Sequence, residues 1–458
     1  MYGIIALLIY AAIMISATIL FSKKNKGNFH VADRNIGTVI SALSIAATWI
    51  WAPALFTSSE KAYTSGLPGL FWFLVPNVLC LILFIPFAKK IRREMPSGIT
   101  LSGYMEEKYH SKKVSGIYRF QLGSLSVFST AVQLLAGGKI LNMITGIPFW
   151  LITIILAVIA FSYSQISGIK ASVITDNIQF VFILAGCLVL LPMALSSSGG
   201  VTTLLEGVSG HTRDFSSLFD ENGLNVFLSF GLPTAIGLLS GPFGDQSFWQ
   251  RVFSIKEKSI GKSFLFGALA FGLVPLSLGA MGYIAAGSGF NAVDSSMVNF
   301  EFIKSILPSW VLLPFLFMIL SGLLSTVDSN LCSAASLTTD FKCKDNLKLS
   351  KGTMIGLLVI AIIIANIPGL TVTHLFLFYG TLRASTLFTT ILTLKGKKLA
   401  EKAVFVGILC SMVIGLPIFA YGSIANIAIY KTIGSLLTVL LSGIIALILS
   451  KKEVKENA

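Results

Sequence analysis

Long apolar runs separated by short polar segments recur along the whole chain. A helix that crosses the hydrocarbon core of a bilayer needs about 20 consecutive, mostly apolar residues. That pattern predicts thirteen spans, at 2–21, 37–58, 68–88, 116–145, 149–165, 171–195, 223–243, 263–287, 308–338, 352–368, 372–394, 403–422 and 432–450. The first lacks the basic n-region and small-residue cleavage site of a signal peptide, and is expected to be a retained helix. The longest connection, near 196–222, leaves no room for a soluble domain. Residues 1–458 are therefore expected to form a single transmembrane domain.

Two spans carry breakers that an ordinary membrane helix lacks. With the first span numbered zero, span 1 reads Ser41-Ala-Leu-Ser-Ile-Ala-Ala-Thr-Trp-Ile-Trp-Ala-Pro53, and Pro53 removes a backbone donor. Span 6 reads Ser229-Phe-Gly-Leu-Pro-Thr234, then Gly237, then Ser240-Gly-Pro-Phe-Gly-Asp-Gln246. Proline and glycine are commoner in membrane helices generally, but these two sets sit at matching places. They open two groups of five spans, 37–195 and 223–394, with an extra N-terminal helix at 2–21 and two C-terminal helices at 403–450. Five is odd, so a second copy must insert upside down. The predicted architecture is an all-α integral membrane protein with a 5+5 inverted repeat and discontinuous helices in spans 1 and 6. Interrupted helices in such a pair mark a midplane substrate and ion site, where freed carbonyls can hold a cation.

Composition narrows the class. The 458 residues are 54% hydrophobic and 12% charged, with a mean hydropathy of +0.83, against roughly 25% charged in soluble domains. The net charge of +14 is spread in short clusters and forms no nucleic-acid-binding face. Positive residues favour alternate loops: 23–34, 89–113, Lys170, then Arg251, Lys256 and Lys258, then 342–348, 395–402 and 451–455. The opposite loops hold Lys61, Arg213, Lys304 and Lys431, and the acidic Glu206, Asp214, Asp220 and Glu221. By the positive-inside rule the N-terminus lies outside and the C-terminus inside. The cysteines (Cys80, Cys187, Cys332, Cys343, Cys410) and the separated histidines (His30, His110, His211, His374) suggest neither a disulfide framework, a metal centre nor an intramembrane catalytic cluster.

Polar residues at membrane depth supply the candidate chemistry. In span 8, Leu320 to Asp340, Ser325 and Ser329 are spaced i, i+4 and Ser325 and Asp328 i, i+3, so their oxygens share one face. Polar helix packing accounts for the hydroxyls alone; Asp328 needs a cation, a partner or a proton. In span 10, Arg383 either pairs with a carboxylate of the protein, snorkels, or faces the cavity and holds an anionic solute group.

At these residues the chain resembles the sodium:solute symporter family, whose members share the leucine-transporter-type fold. The resemblance rests on Phe29-His-Val-Ala-Asp-Arg34, Gly168-Ile-Lys-Ala-Ser-Val-Ile-Thr-Asp-Asn-Ile-Gln179, Asp245-Gln-Ser-Phe-Trp-Gln-Arg251 and Leu324-Ser-Thr-Val-Asp-Ser329. It implies a coupling sodium held by the carbonyls of Ala46 and Trp49 and by Gly322, Ser325 and Thr326. It also implies an inner ion path or second cation site at Asp176, Asp328 and Ser329. Thr48-Trp-Ile-Trp-Ala-Pro-Ala-Leu-Phe-Thr-Ser-Ser59, Gly66-Leu-Pro-Gly-Leu-Phe-Trp72 and Asp245-Gln-Ser-Phe-Trp249 look most like the urea-symporter branch, whose members are longer. The proline-symporter branch has an Asp at the place of Thr48.

The expected function is therefore a sodium-coupled symporter, not an enzyme, that imports a small polar organic solute across the cell membrane by alternating access. Urea is the named candidate, with an amino acid such as proline or a carboxylate as alternatives, and a non-transporting membrane sensor as a reading from another class. Thr48, Trp51, Asn77, Ser240, Tyr379 and Arg383 are the expected solute contacts, Na+ the coupling ion and the lipid bilayer the surroundings. Neither nucleic acid nor an obligate protein partner is expected.

Overall fold

The computed structural model describes residues 2–22, 28–341 and 346–456; Lys23, Lys24, Lys26, Lys342, Cys343 and Lys344 lie outside them. The described chain is helical. In order it forms α1 (Tyr2–Ser22), α2 (Thr38–Trp49), α3 (Ala52–Leu55), α4 (Thr57–Glu94), α5 (Leu101–Tyr109), α6 (Lys112–Thr145), α7 (Phe149–Ser167), α8 (Ile169–Ser197), α9 (Val201–Glu206) and α10 (Glu221–Val226). There follow α11 (Leu232–Leu239), α12 (Gln246–Ser254), α13 (Ile260–Gly287), α14 (Val298–Ile306), α15 (Leu312–Leu337), α16 (Leu347–Ala365), α17 (Val372–Leu394), α18 (Glu401–Cys410), α19 (Leu416–Ile424) and α20 (Ala428–Glu456). Twelve described helices are long and apolar enough to cross a membrane, α10–α11 and α18–α19 each counting as one, and α2 is a shorter apolar helix.

Both expected interruptions are present. Between α2 and α3, Ile50 and Trp51 are extended (φ −85°, ψ 95° and φ −123°, ψ 177°), and Pro53 sits in the first turn of α3, where its missing donor costs nothing. Between α11 and α12 the chain turns through Ser240–Gly244, and Asp245 caps α12, accepting from the Ser247 amide at 2.9 Å. A break inside hydrocarbon frees backbone groups that must be satisfied by the protein. Two glutamines on α6 help do this: Gln133 Oε1 accepts from the Ala52 amide at 2.7 Å, and Gln121 Nε2 donates to the Gly244 carbonyl at 3.0 Å.

Around these breaks, α15 and α17 are the most enclosed spans, with 72% and 78% of their apolar windows buried, while α1 and α16 are peripheral at 28% each. α15 packs along α8 and α6, and α13 along α4 and α2. The α1 helix is nonetheless joined to the bundle, since Tyr10 is buried and its hydroxyl accepts from Gln179 at 2.8 Å.

At the end that carries the first linker, Arg34 ties three segments by donating to the carbonyls of Ser97 and Gly98 (both 2.7 Å) and Phe253 (3.1 Å). Ile36 and Ile255 form an isolated bridge beside it. Arg34, Lys89, Arg93, Lys256 and Lys258, with Glu257, surround one hollow there, so basic residues from separate stretches of the chain gather at one end. Arg251 does not belong with them. The sequence pattern placed it in a basic loop, but the break before α12 returns the chain into the bundle and leaves Arg251 1% exposed.

The join between spans 1 and 2 also differs from expectation. Helix α4 runs from Thr57 to Glu94 through a kink at Ser65 and Gly66. Gly66 has φ +52°, and a Cβ there would lie 2.6–2.7 Å from the carbonyls of Phe215 and Val208. Gly66→Ala is accordingly expected to lower stability by about 1–3 kcal/mol. Gly146→Ala, at φ +71° in open space, carries the backbone strain without the collision. Thermal unfolding of both variants checks this; equal losses would remove the packing account of the kink.

Candidate functional site

The polar face of α15 meets α8, α2 and α12 in a cluster whose members are all buried. Asp176 on α8 is its centre. Its Oδ1 accepts from Ser325 on α15 at 2.5 Å, and its Oδ2 from Ser44 on α2 at 2.5 Å and from Arg251 Nη2 on α12 at 2.8 Å. Arg251 Nη2 also donates to Ser329 at 2.8 Å, its Nε to Ser44 at 3.1 Å, and its Nη1 to the Ser247 carbonyl at 3.1 Å. Arg251, Asp176 and Asp328 are 1%, 0% and 0% exposed, so this is an ion pair removed from water, where fixed geometry and satisfied hydrogen bonds decide whether charge is tolerated.

Asp328 lies one step further in. Ser172 donates to its Oδ1 at 2.6 Å and Thr175 to its Oδ2 at 3.1 Å, both from α8, while Ser329 reaches it at 3.3 Å. Among the described residues its polar partners are hydroxyls, and no ion pair is formed with Asp328.

The helix break adjoins this cluster. The Thr326 hydroxyl lies 3.3 Å from the Thr48 carbonyl, 3.5 Å from that of Ile50 and 3.2 Å from that of Gly322. The extended backbone at Ile50 therefore directs carbonyl oxygens at α15, and a hydroxyl already occupies the gap between the two elements. Of the two carbonyls anticipated from the sequence, Ala46 is engaged within its own helix by the Ile50 amide at 2.9 Å, and the carbonyls flanking Trp49 are those that Thr326 meets. Thr48, anticipated as a solute contact, turns its hydroxyl to the cluster around Asp176, 3.1 Å from Ser329 and 3.5 Å from Asp176.

A second group forms on the other side of the same break. Arg383 on α17 is 2% exposed and lies over three rings, 5.1 Å from Trp49, 5.4 Å from Trp51 and 4.7 Å from Tyr379. Its Nη2 meets Asp245, the cap of α12, at 3.3 Å, but its Nε and Nη1 have no acceptor. The Trp51 indole N–H and the Tyr379 hydroxyl are likewise buried without an acceptor, and Asn77 Oδ1 is buried without a donor. Phe376 closes the box at 5.1 Å from Trp51. Buried polar atoms are nearly always satisfied, so several orphaned donors around one aromatic box mark a place built to meet an acceptor-bearing ligand.

Trp51, Tyr379 and Arg383 are brought together here. Asn77 is adjacent, its main-chain carbonyl accepting from the Trp49 indole at 3.2 Å, whereas the Ser240 hydroxyl is satisfied by the Ile236 carbonyl at 2.6 Å and contributes through the turn it begins. Sequence reasoning left Arg251, Ser44, Ser172 and Thr175 outside the site. The motifs ending at Arg251 and running through Ser172 and Thr175 contained them, but only the fold shows that these two motifs face each other.

Residues 29–410 match the family model described as the sodium:solute symporter family. Among curated proteins, the chain is 24% identical over 437 residues to the urea-proton symporter DUR3 of Oryza sativa subsp. japonica, covering 85% of this chain and 60% of that one. It is 24% identical over 442 residues to the sodium/pantothenate symporter of Haemophilus influenzae, covering 90% and 88%. The chain thus spans about 40–60% of the length of the first urea-transporter relatives it matches. Among solved structures, a Na+-coupled sialic acid symporter in a substrate-bound outward-open state superposes with a TM-score of 0.78 at 16% identity, over 98% of each chain. MhsT in complex with L-phenylalanine superposes at 0.59 and 14% identity. These likenesses show the leucine-transporter-type fold.

The buried pair yields a direct test. Asp176→Ala and Arg251→Ala each strand the opposite charge, at an expected cost of about 3–5 kcal/mol. The double variant strands neither, and is expected to cost clearly less than the sum. Denaturant unfolding in micelles measures all three, and additive costs would show that the two side chains are not coupled.

Proposed function

The chain belongs to the sodium:solute symporter family, and from that premise we propose that it couples sodium entry to uptake of a small polar organic solute by alternating access, with urea as the solute. The observation that carries the reading is the two-residue break at Ile50 and Trp51. It turns carbonyls towards Thr326 on one side, and places Trp49 and Trp51 around Arg383 on the other. Sodium, a hard cation, is proposed to bind where the carbonyls of Ala46 and Trp49 and those of their neighbours meet Gly322, Ser325 and Thr326. Asp176, Asp328 and Ser329 continue the polar path from there.

Sodium at this place ties the break in span 1 to α15, and so holds the bundle in the form that accepts solute. Solute then fills the box beside the break. Rocking of the broken helices against the rest opens the other face, and the ion leaves past Asp176. One charge moved across about 100 mV releases roughly 2.3 kcal/mol, enough for several-tenfold accumulation before the sodium concentration gradient is added.

Urea fits the box by its carbonyl oxygen, which can meet the free donors of Arg383, Trp51 and Tyr379, while Asn77 Oδ1 can accept from its amides. The names of several urea-transporting relatives support this choice. A carboxylate is the second reading, favoured by the two guanidinium nitrogens of Arg383 that Asp245 leaves unpaired. The chain is proposed to act as one domain in the cell membrane. Helix α1 is added to the two inverted five-helix repeats at 37–195 and 223–394, two further helices follow at 403–450, the N-terminus is outside and the C-terminus inside.

Uptake of labelled urea into proteoliposomes under an inward sodium gradient tests the reading. Accumulation is expected in the wild type, and Ser325→Ala and Thr326→Ala are expected to abolish its sodium dependence while leaving expression intact. Undiminished sodium dependence in both would remove the proposed ion site. Arg383→Gln should lower solute affinity by about tenfold or more, the worth of a charge-assisted hydrogen bond of about 1.5–3 kcal/mol. Uptake of a small monocarboxylate but not urea would move the solute to the second reading.

A further inference from the structure

The basic hollow at the end that carries the first linker takes no part in the ion and solute sites. Arg34, Lys89, Arg93, Lys256 and Lys258 line it against a single carboxylate, Glu257, which leaves four positive charges in excess. Among the described residues, Lys89, Arg93, Lys256 and Lys258 form no ion pair. Arg34 is spent on the carbonyls of Ser97, Gly98 and Phe253 and shapes the wall. Arg92 stands near it, 7% exposed, with its Nε lacking an acceptor. Burial, and after it the like charge of Arg92, lowers the Arg34 pKa to about 10. Like charges this close repel, yet the fold draws them together. The Lys256 amide donates to the Ile36 carbonyl at 3.0 Å. The Lys89 side chain is laid over Gly261 at the start of α13, where a Cβ would lie 2.8 Å from its Cε. Topology asks only that such loops be positive, not that their side chains converge on one hollow; convergence without partners makes a place for an anion.

We propose that this hollow holds the phosphodiester headgroup of an anionic phospholipid from the surrounding bilayer. The proposal rests on the chain's spanning a membrane and not on the sodium or urea readings. Apolar surface selects a lipid over a free anion. The hollow lies where α4 ends and α13 begins, and large apolar side chains are exposed close by in the chain: Leu83 on α4, Leu265 and Phe266 on α13, and Val39 and Ile40 on α2. Because α13 packs along both α4 and α2, the three helices stand side by side next to the hollow. Acyl chains can lie on these side chains while the phosphate sits among the cations. A headgroup so placed joins Lys89 and Arg93 at the end of α4 to Lys256 and Lys258 in the link from α12 to α13, beside the segment that enters α2. It thereby braces the ends of both discontinuous helices against α4.

Thermal unfolding of the purified full chain in detergent micelles doped with phosphatidylglycerol or with phosphatidylcholine tests the site. Phosphatidylglycerol is expected to raise the midpoint above that in phosphatidylcholine by about 2 °C or more, and to do so saturably. The variant Lys89→Gln/Arg93→Gln/Lys256→Gln/Lys258→Gln is expected to lose that difference. Lys395→Gln/Lys397→Gln/Lys398→Gln/Lys402→Gln, which removes as much charge from another basic loop, is expected to keep it. Should the hollow variant not fold, Lys256→Gln/Lys258→Gln decides in its place, with about half of the difference expected to be lost. Equal midpoints in the two lipids would overturn the proposal, as would a difference that survives in the hollow variant. Equal loss in both four-residue variants would reduce the effect to diffuse surface charge and overturn it too. Inorganic phosphate that stabilises the wild type as much as phosphatidylglycerol at the same concentration would show a free anion, not a lipid, in the hollow.

Discussion

An arginine and an aspartate paired out of reach of water, at the crossing of four helices, set the terms for the rest of this protein. The Arg251–Asp176 contact of 2.8 Å holds only because each remaining oxygen and nitrogen of the pair is met by a hydroxyl or a carbonyl, from Ser44, Ser325, Ser329 and Ser247. Those partners sit on α2, α15 and α12, and each must keep its place for the charges to be tolerated. The pair thereby fixes α2, the half of one broken helix before its break, against α12, the half of the other after its break. Any movement here must either carry the four helices together or exchange the contacts of the pair.

The breaks themselves obey the same constraint. Unwound backbone within hydrocarbon is admissible only where the protein satisfies it, and Gln121 and Gln133 of α6 do so at the two breaks. One helix thus holds both discontinuities open. At the first, one short stretch of chain faces two ways: the carbonyls of Thr48 and Ile50 meet Thr326, while the rings of Trp49 and Trp51 flank Arg383. Any ligand that shifts this segment is felt on its other side, which is the structural form that reciprocal coupling between two sites requires.

Much of this was legible in the sequence because it is written in short-range signals. Span positions follow from apolar length, the first break from Thr48 to Pro53, the second from the Gly and Pro run at 231–244, and the polar face of α15 from the spacing of Ser325, Asp328 and Ser329. What was not legible depends on long-range placement. Arg251 stands near Lys256 and Lys258 and reads as one more loop charge; only the return of α12 into the bundle makes it a core residue. Gln121 and Gln133 lie on an otherwise ordinary helix, and nothing local says that they face two breaks. Thr48 could be placed at the right depth but not on the right side, since a residue at a helix terminus can face either neighbour. The kink at Gly66 was hidden because the polar stretch from Thr57 to Ser65 reads as a loop, whereas it continues the helix beyond the break.

The central claim is that the oxygens at the span 1 break and on α15 bind sodium. The direct measurement is the thermal unfolding midpoint of the purified protein in sodium chloride and in potassium chloride of equal ionic strength. A bound ion stabilises the native state by mass action, by about 2.7 kcal/mol at a hundredfold excess over its dissociation constant. The account predicts a midpoint that rises with sodium concentration and saturates, with no such rise in potassium. Equal midpoints in the two salts at every concentration would contradict it.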